Sequence, residues 1–256
     1  MSSSLQTTIR DLQLRRGRER RGLALAEGVR LVEEALAAGI PIRGAAVSAT
    51  LEGTARGSTL KSALLKSGVR LEEVGTAELD ALADTEHPQG IVAVVEPPRW
   101  KLDHMGGRTG PVLVLDGVQD PGNVGTMLRT AFGLGAAGVV ALKGTADLTN
   151  PKVVRGSMGA LFRFPTVATD ADAFLAWAGH ERLTIWVAEA DGDPLGTVSA
   201  HGDRVAIVVG NEGAGVSAAM AAAADRRLAI PLAEGAESLN VGVAAGILLY
   251  EVSRGR

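Results

Sequence analysis

The sequence predicts an α/β protein in two parts: a mostly parallel sheet covered on both faces over residues 111–256, preceded by a small α/β domain over residues 1–96. Three features lead to this reading. Beyond residue 111, short apolar runs alternate with helical stretches, an order that builds parallel sheets with helices on both sides. Residues 96–110, EPPRWKLDHMGGRTG, combine paired prolines, paired glycines and mixed charges without periodicity, so residues 97–110 read as a linker. Three polar loops, at 116–125, 210–215 and 232–240, then fall where strands end, the edge at which such sheets bind ligands.

The totals narrow the class. A chain of 256 residues with 46% hydrophobic and 21% charged residues is of ordinary globular composition and can bury a substantial core. No apolar run reaches the length of a membrane span, and Met1-Ser2-Ser3-Ser4 does not read as a signal peptide, so a cytoplasmic protein is expected. Cysteine is absent, which removes disulfides, thiolate nucleophiles and cysteine metal sites. His87, His104, His180 and His201 are scattered without metal-ligand spacing, so no metal is expected. The net charge of −3 carries no global nucleic-acid signal; any such signal must be local.

In chain order, a basic cluster comes first: Arg15, Arg16, Arg18, Arg20 and Arg21, opposed only by Glu19. Arginine matches phosphate through its planar fork, so the cluster is a candidate RNA contact. The alternative is a solvated, helix-stabilising charge run. A helix follows, with Val29, Val32 and Leu36 on one face and Glu33 and Glu34 outside. Short strands and helices at 44–49, 61–67, 69–74 and 79–83 lead to a strand at 91–95. The second half predicts strands at 112–115, 138–142, 183–188, 205–209 and 227–230. Helices are expected at 123–134, 152–159, 171–178 and 217–225. The last strand closes at Ile230-Pro231, because proline has no amide proton for a ladder. Ser238 is placed as the N-cap of a final helix. That helix is apolar almost all round from Val241 to Val252, and burial of the whole run is expected.

Familiar motifs are mostly excluded. Gly133-Leu134-Gly135-Ala136-Ala137-Gly138 matches a dinucleotide glycine pattern, yet it follows a helix and precedes a strand, the reverse of a phosphate cradle. Lys143-Gly144-Thr145 lacks the glycine loop of a nucleotide-binding site, and no GxSxG elbow is present. What remains is polar chemistry in the three loops. Asn123 and Arg129 lie six residues apart on opposite faces of one helix. Glu212 sits in the glycine loop Gly210-Asn211-Glu212-Gly213-Ala214-Gly215, where a ligand can approach backbone amides closely. Ser238 and Asn240 add a hydroxyl and an amide. These groups suit a neutral, multiply hydrogen-bonding ligand beside a phosphate-bearing partner.

The segments Asp120–Ala131, Val208–Gly215 and Ile230–Val241 resemble the three ordered motifs of the SpoU/TrmH family of RNA ribose 2′-O-methyltransferases, of the knotted SPOUT class. Leu25-Ala26-Glu27-Gly28 and His87-Pro88-Gln89-Gly90 resemble that family's substrate-binding domain, akin to an RNA-binding ribosomal protein. The resemblance is to the ribosomal-RNA-modifying branch more than to the tRNA enzymes. It implies a homodimer, a deep trefoil knot and S-adenosyl-L-methionine as methyl donor, although knots are rare among folds in general. It also implies that Gly210, Ile230 and Leu239 line the donor pocket, and that Asn123, Arg129, Glu212, Ser238 and Asn240 form the active site. Asn211 falls where the motif varies. The family proposal makes Arg129 the general base; since guanidinium stays protonated far above neutral pH, the expected role is to anchor the neighbouring RNA phosphate and stabilise the developing alkoxide. An inactive RNA-binding relative, a tRNA enzyme and methylation of a base nitrogen stay open as alternatives; a nicotinamide-dependent oxidoreductase fails on the context of its glycine loop.

Overall fold

The computed structural model describes residues 4–197 and 204–254, so His201 and Met1-Ser2-Ser3 lie outside the described residues. The elements run α1 (Leu5–Gln13), α2 (Arg15–Arg21), β1 (Ala24–Glu27), α3 (Val29–Ala37), β2 (Ile42–Val47), α4 (Ala55–Lys66), β3 (Leu71–Glu73), α5 (Thr76–Asp80) and β4 (Ile91–Val95). They continue with β5 (Val112–Asp116), α6 (Pro121–Gly133), β6 (Gly138–Leu142), α7 (Pro151–Gly156), β7 (Thr166–Thr169), α8 (Ala171–His180), β8 (Thr184–Pro194), β9 (Val205–Gly210), α9 (Ala218–Ala222), β10 (Arg226–Ala229) and α10 (Val241–Arg254). Two compact units result: Met1–Pro98 with Thr149–Arg163, and Arg99–Leu148 with Phe164–Arg256. One break falls beside the proline pair, but the excursion at 149–163 was not expected from the linear sequence.

The first unit holds a four-stranded sheet in the order β1-β4-β2-β3. Its strands β1 and β2 both run antiparallel to β4, while β3 is parallel to β2. Ile9, Leu12, Leu25, Leu79, Leu82, Val92 and Val94 pack into its core. The arginine cluster forms the short helix α2, and most of it is already engaged. Arg18 is only 4% exposed. Its Nη1 donates to the carbonyls of Leu12 (3.0 Å) and Gln13 (2.9 Å), which close the last turn of α1. A buried arginine that satisfies orphan helix carbonyls cannot also present itself to RNA, so Arg18 leaves the list of candidate contacts. Arg20 and Arg21 both pair with Asp11, at 2.7 and 2.6 Å, and Arg15 pairs with Glu19 at 2.7 Å. The Arg21 guanidinium, helped by Arg20, holds the Asp11 carboxyl below the usual carboxylate range despite the opposing effect of burial. Arg16 alone of the five is exposed and without a partner among the described residues.

The second unit is built on a six-stranded sheet in the order β10-β8-β9-β5-β6-β7, every ladder of it parallel. All five residues of β5 and of β6 are buried, as strands covered on both faces must be. Val114, Val140, Phe174, Trp177, Ile185 and Val208 pack in its core. Sequence reading missed β1 and β7, both four residues long; Thr166-Val167-Ala168-Thr169 contains one large aliphatic side chain and no clear alternation. Two expectations about the last helix need correction. Its N-cap is Asn240, not Ser238: the Asn240 Oδ1 accepts from the backbone N–H of Gly242 (2.9 Å) and Val243 (3.3 Å). Nor is the helix enclosed. Gly242, Ala245, Leu248, Leu249 and Val252 are buried, but Val243, Ile247 and Tyr250 are 52%, 37% and 57% exposed. One apolar face packs against its own chain and the other is open to solvent.

Replacing Arg18 by Ala should lower the unfolding free energy by about 2 kcal/mol, because the buried Leu12 carbonyl and the half-buried Gln13 carbonyl lose a charged donor. Arg16→Ala should change it by less than about 0.5 kcal/mol. Urea denaturation of the two variants separates the structural arginine from the free one.

Candidate functional site

Strands β5 and β9 are neighbours in parallel register, with Asp116 opposite Gly210 at their carboxyl ends. The loops that follow therefore begin side by side. Asn211 binds them together: its Nδ2 donates to the Gly117 carbonyl at 2.9 Å, and its Oδ1 accepts from the amides of Gly213 (3.0 Å) and Ala214 (2.9 Å). Its backbone exchanges two further bonds with Gly215, at 2.9 and 3.0 Å. This tight return explains the glycine at 210, since a Cβ there would lie 2.2 Å from the Gly215 carbonyl carbon. Buried Asp116 completes the base, its Oδ2 accepting from the Ser217 amide at 2.7 Å. On the other side, Thr145 accepts from the Gly117 amide (3.2 Å) and donates to the Leu115 carbonyl (2.8 Å).

Above this base, one chain of hydrogen bonds joins all three loops. Asp120 caps α6 by accepting from the Asn123 amide at 2.7 Å, with Pro121 pre-set for the first helical position. The Glu212 carboxylate then accepts from the backbone amides of Gln119 (3.3 Å) and Asp120 (3.4 Å) and from Asn123 Nδ2 (3.1 Å). Asn123 Oδ1 accepts from Asn240 Nδ2 at 3.0 Å. Asn240 Oδ1 meets the first free amides of α10, as above. The donors and acceptors fix the polarity of every amide, running from carboxylate to helix N-terminus, where the dipole favours a negative end. Burial pushes the Glu212 carboxyl up, but its own backbone amide, Asn123 and the Gln119 and Asp120 amides outweigh this and hold it below the usual glutamate value.

The structure thus brings together Asn123, Glu212 and Asn240, with Gly210 at the base. Ile230, Ser238 and Leu239 belong to the loop leaving β10 at the same edge of the sheet. Ser238 is exposed and its hydroxyl has no partner among the described residues; Leu232 and Leu239 are partly exposed. Arg129 lies further along α6, exposed, with no hydrogen bond or ion pair among the described residues. The roles of Asn211, Asp116 and Asp120 escaped sequence reading. Asn two residues before Gly-X-Gly, and Asp before Pro at a helix start, are the turn and cap signals that point to two of them. Among the described residues, no three His, Cys, Asp or Glu side chains group to hold a metal, and no helix is long and apolar enough to cross a membrane.

Comparison with known proteins gives a consistent picture. The model of the SpoU rRNA Methylase family matches residues 110–250, and that of the MRM3-like substrate binding domain matches residues 7–93. The chain is 36% identical, over 94% of its length and 92% of the relative's, to the 23S rRNA (guanosine(2553)-2′-O)-methyltransferase RlmP of Bacillus subtilis (strain 168). It is 34% identical to the 23S rRNA (uridine(2479)-2′-O)-methyltransferase of Streptomyces viridochromogenes, over 94% of this chain and 86% of the other. The crystal structure of an AdoMet-bound rRNA methyltransferase from Sinorhizobium meliloti superposes with a TM-score of 0.87, covering 98% of this chain and 95% of that one at 27% identity.

Since the folded state holds the Glu212 carboxyl below its unfolded value, its contribution is complete above the unfolded pKa and is lost as pH falls through the folded one. A carboxyl titration followed by NMR should therefore show Glu212 inflecting below the ordinary glutamate range. Asn123→Ala, which removes one donor, should move that inflection upward.

Proposed function

This chain belongs to the SpoU rRNA Methylase family, and we propose that it transfers a methyl group from S-adenosyl-L-methionine to a ribose 2′-hydroxyl of 23S ribosomal RNA in the cytoplasm. The observation that carries this reading is the Glu212–Asn123–Asn240 chain, which makes one cleft edge of three loops.

The donor pocket falls to the loop after β10 and the turn at Gly210. Leu232 and Leu239 offer apolar surface for a ring, and the 230–240 segment keeps most of its backbone amides and carbonyls free of partners among the described residues, as a purine edge requires. Gly210 and Ile230 flank that surface. Bound there, the donor supplies a sulfonium-activated methyl group, so the protein's task is to align the attacking oxygen and raise its nucleophilicity.

The polar residues divide by what they already hold. Asn123, Glu212 and Asn240 are bonded to one another and act as positioning residues, keeping the loops in one relative geometry. Arg129 and Ser238 are free to meet the RNA. The Arg129 guanidinium suits a bidentate grip on the phosphate beside the reacting ribose and screens the charge that grows on the 2′-oxygen. The Ser238 hydroxyl orients the nucleophile. The front unit, residues 1–96 in the main, gathers the RNA, with Arg16 the best placed of the basic cluster.

A second copy of this chain is the partner proposed for the open face of α10. Val243, Ile247 and Tyr250 follow at four- and three-residue spacing, and Phe132 of the adjoining α6 is also exposed. An apolar strip of that kind costs solubility unless a partner covers it.

Nucleoside mass spectrometry of 23S rRNA treated with the enzyme should reveal a single 2′-O-methylated nucleotide; a methylated base nitrogen instead contradicts the reading. Arg129→Lys should lower kcat/KM on the order of 100-fold. Asn123→Ala should lose methylation to a similar extent while calorimetry still detects donor binding. Ile247→Glu with Tyr250→Glu should convert a dimer to a monomer in sedimentation; an unchanged mass moves the interface elsewhere.

A further inference from the structure

The first unit contains a cavity of about 250 Å³ lined by Glu27, Gly28, Arg30, Leu31, Thr85, His87, Gln89, Arg155 and Met158. Most of the motif residues around it serve to build it. The Glu27 carboxylate accepts from the Asp84 amide (2.7 Å), the Thr85 amide (3.2 Å) and the Thr85 hydroxyl, which pins the 84–90 loop against β1. Gln89 Oε1 accepts from the Val29 amide at 2.9 Å, a reach permitted because residue 28 is a glycine with φ +93°. Arg155 reaches Asp84 at 3.0 Å. The cavity is therefore held from several directions.

What these bonds leave over is a set of donors. Arg30 and His87 are exposed and have no partner among the described residues. The Gln89 Oε1 accepts from the Val29 amide while its Nε2 has no acceptor among the described residues, and Arg155 uses one N–H of five. Beneath them lie buried Leu31 and the half-buried Met158. Met158 is one of two non-glycine residues with positive φ among those described, at 49°, which costs about 1 kcal/mol. Strain kept at a cavity wall points to a use for that wall.

We infer that this cavity takes one unstacked ribonucleotide of the RNA, with its base on Leu31 and Met158 beneath the His87 ring and its phosphate held by Arg30 and Arg155. The inference rests on the RNA-methylating reading above. Arginine planes and histidine rings are the usual platforms for splayed-out RNA bases. The volume lies just under the roughly 300–1,000 Å³ of drug-sized ligand pockets, which fits a single base and excludes a dinucleotide. Glu27 has a spare acceptor position for a base amine, whereas its charge keeps phosphate at the mouth, where the cations are.

The test uses the full-length enzyme and a 23S rRNA transcript, with Arg30→Gln/His87→Gln as the variant. RNA affinity should fall about tenfold, and the slope of log K against log salt should lose about one phosphate contact. Donor binding by calorimetry and kcat at saturating RNA should stay within about twofold, which also reports that the variant is folded, and Arg30→Lys should recover most of the affinity. Ultraviolet crosslinking of the wild type should leave a nucleotide adduct within 85–89 or 155–158. Unchanged affinity and slope in the variant, with methylation intact, overturn the pocket alone. A wild-type enzyme that neither binds nor methylates the transcript overturns the functional reading, and the pocket with it.

Discussion

A carboxylate that stays ionised, Glu212, ties together three loops that leave different strands. Its acceptors are filled by two amides before α6 and by Asn123, and Asn123 in turn holds the residue that caps α10. Every member of this chain is exposed enough to meet water, so its value lies less in stability than in direction. Charge-assisted bonds are short-ranged and oriented. Each amide has only one flip that satisfies both neighbours, and the loops inherit that geometry. If the carboxylate were neutral, Asn123 Nδ2 would lose its charged acceptor, while Asn240 would stay fixed by the first amides of α10.

This arrangement depends on the parallel sheet beneath it. The register that sets Asp116 opposite Gly210 delivers two loops to one point, and Asn211 and Asp116 then convert adjacency into attachment. Gly210 belongs to the same device. Its missing Cβ lets the 210–215 turn fold back on its own strand, so the glycine is required by packing before any ligand arrives. A loop built to tolerate close approach from one side also presents little side-chain bulk on the other.

How much of this could be read from residue order varies with the range of the interaction. The strands at 91–95 and 138–142 were legible in full, because five consecutive apolar residues flanked by turn formers describe a doubly covered strand. The parallel sheet followed from alternation alone. Asn123, Glu212 and Asn240 were legible as polar groups in the correct loops, but their mutual bonds span 89 and 117 residues and leave no local trace. The cap of α10 was misplaced by two residues because Ser238 and Asn240 are equally good caps in isolation; the choice falls to Asn240, whose amide also reaches Asn123. The open face of α10 was misjudged for a related reason. A helix apolar all round looks the same in sequence whether its second face is covered by its own chain or left open.

The basic residues of the first unit carry the same lesson to charge. Five arginines within seven residues looked like a phosphate grip, yet Arg18 is buried against helix carbonyls and three others are matched by Asp11 or Glu19. A guanidinium already paired offers a phosphate only the difference between two partners, whereas an unpaired one offers its full field. By that measure Arg16, Arg30 and Arg129 matter more than the density of the cluster, although none of the three stands out by composition. Arg30 lies in the first turn of α3, and Arg129 lies beyond the middle of α6. A net charge of −3 therefore says little about these positions, because the field near each unpaired guanidinium is set by its immediate neighbours rather than by the sum over the chain.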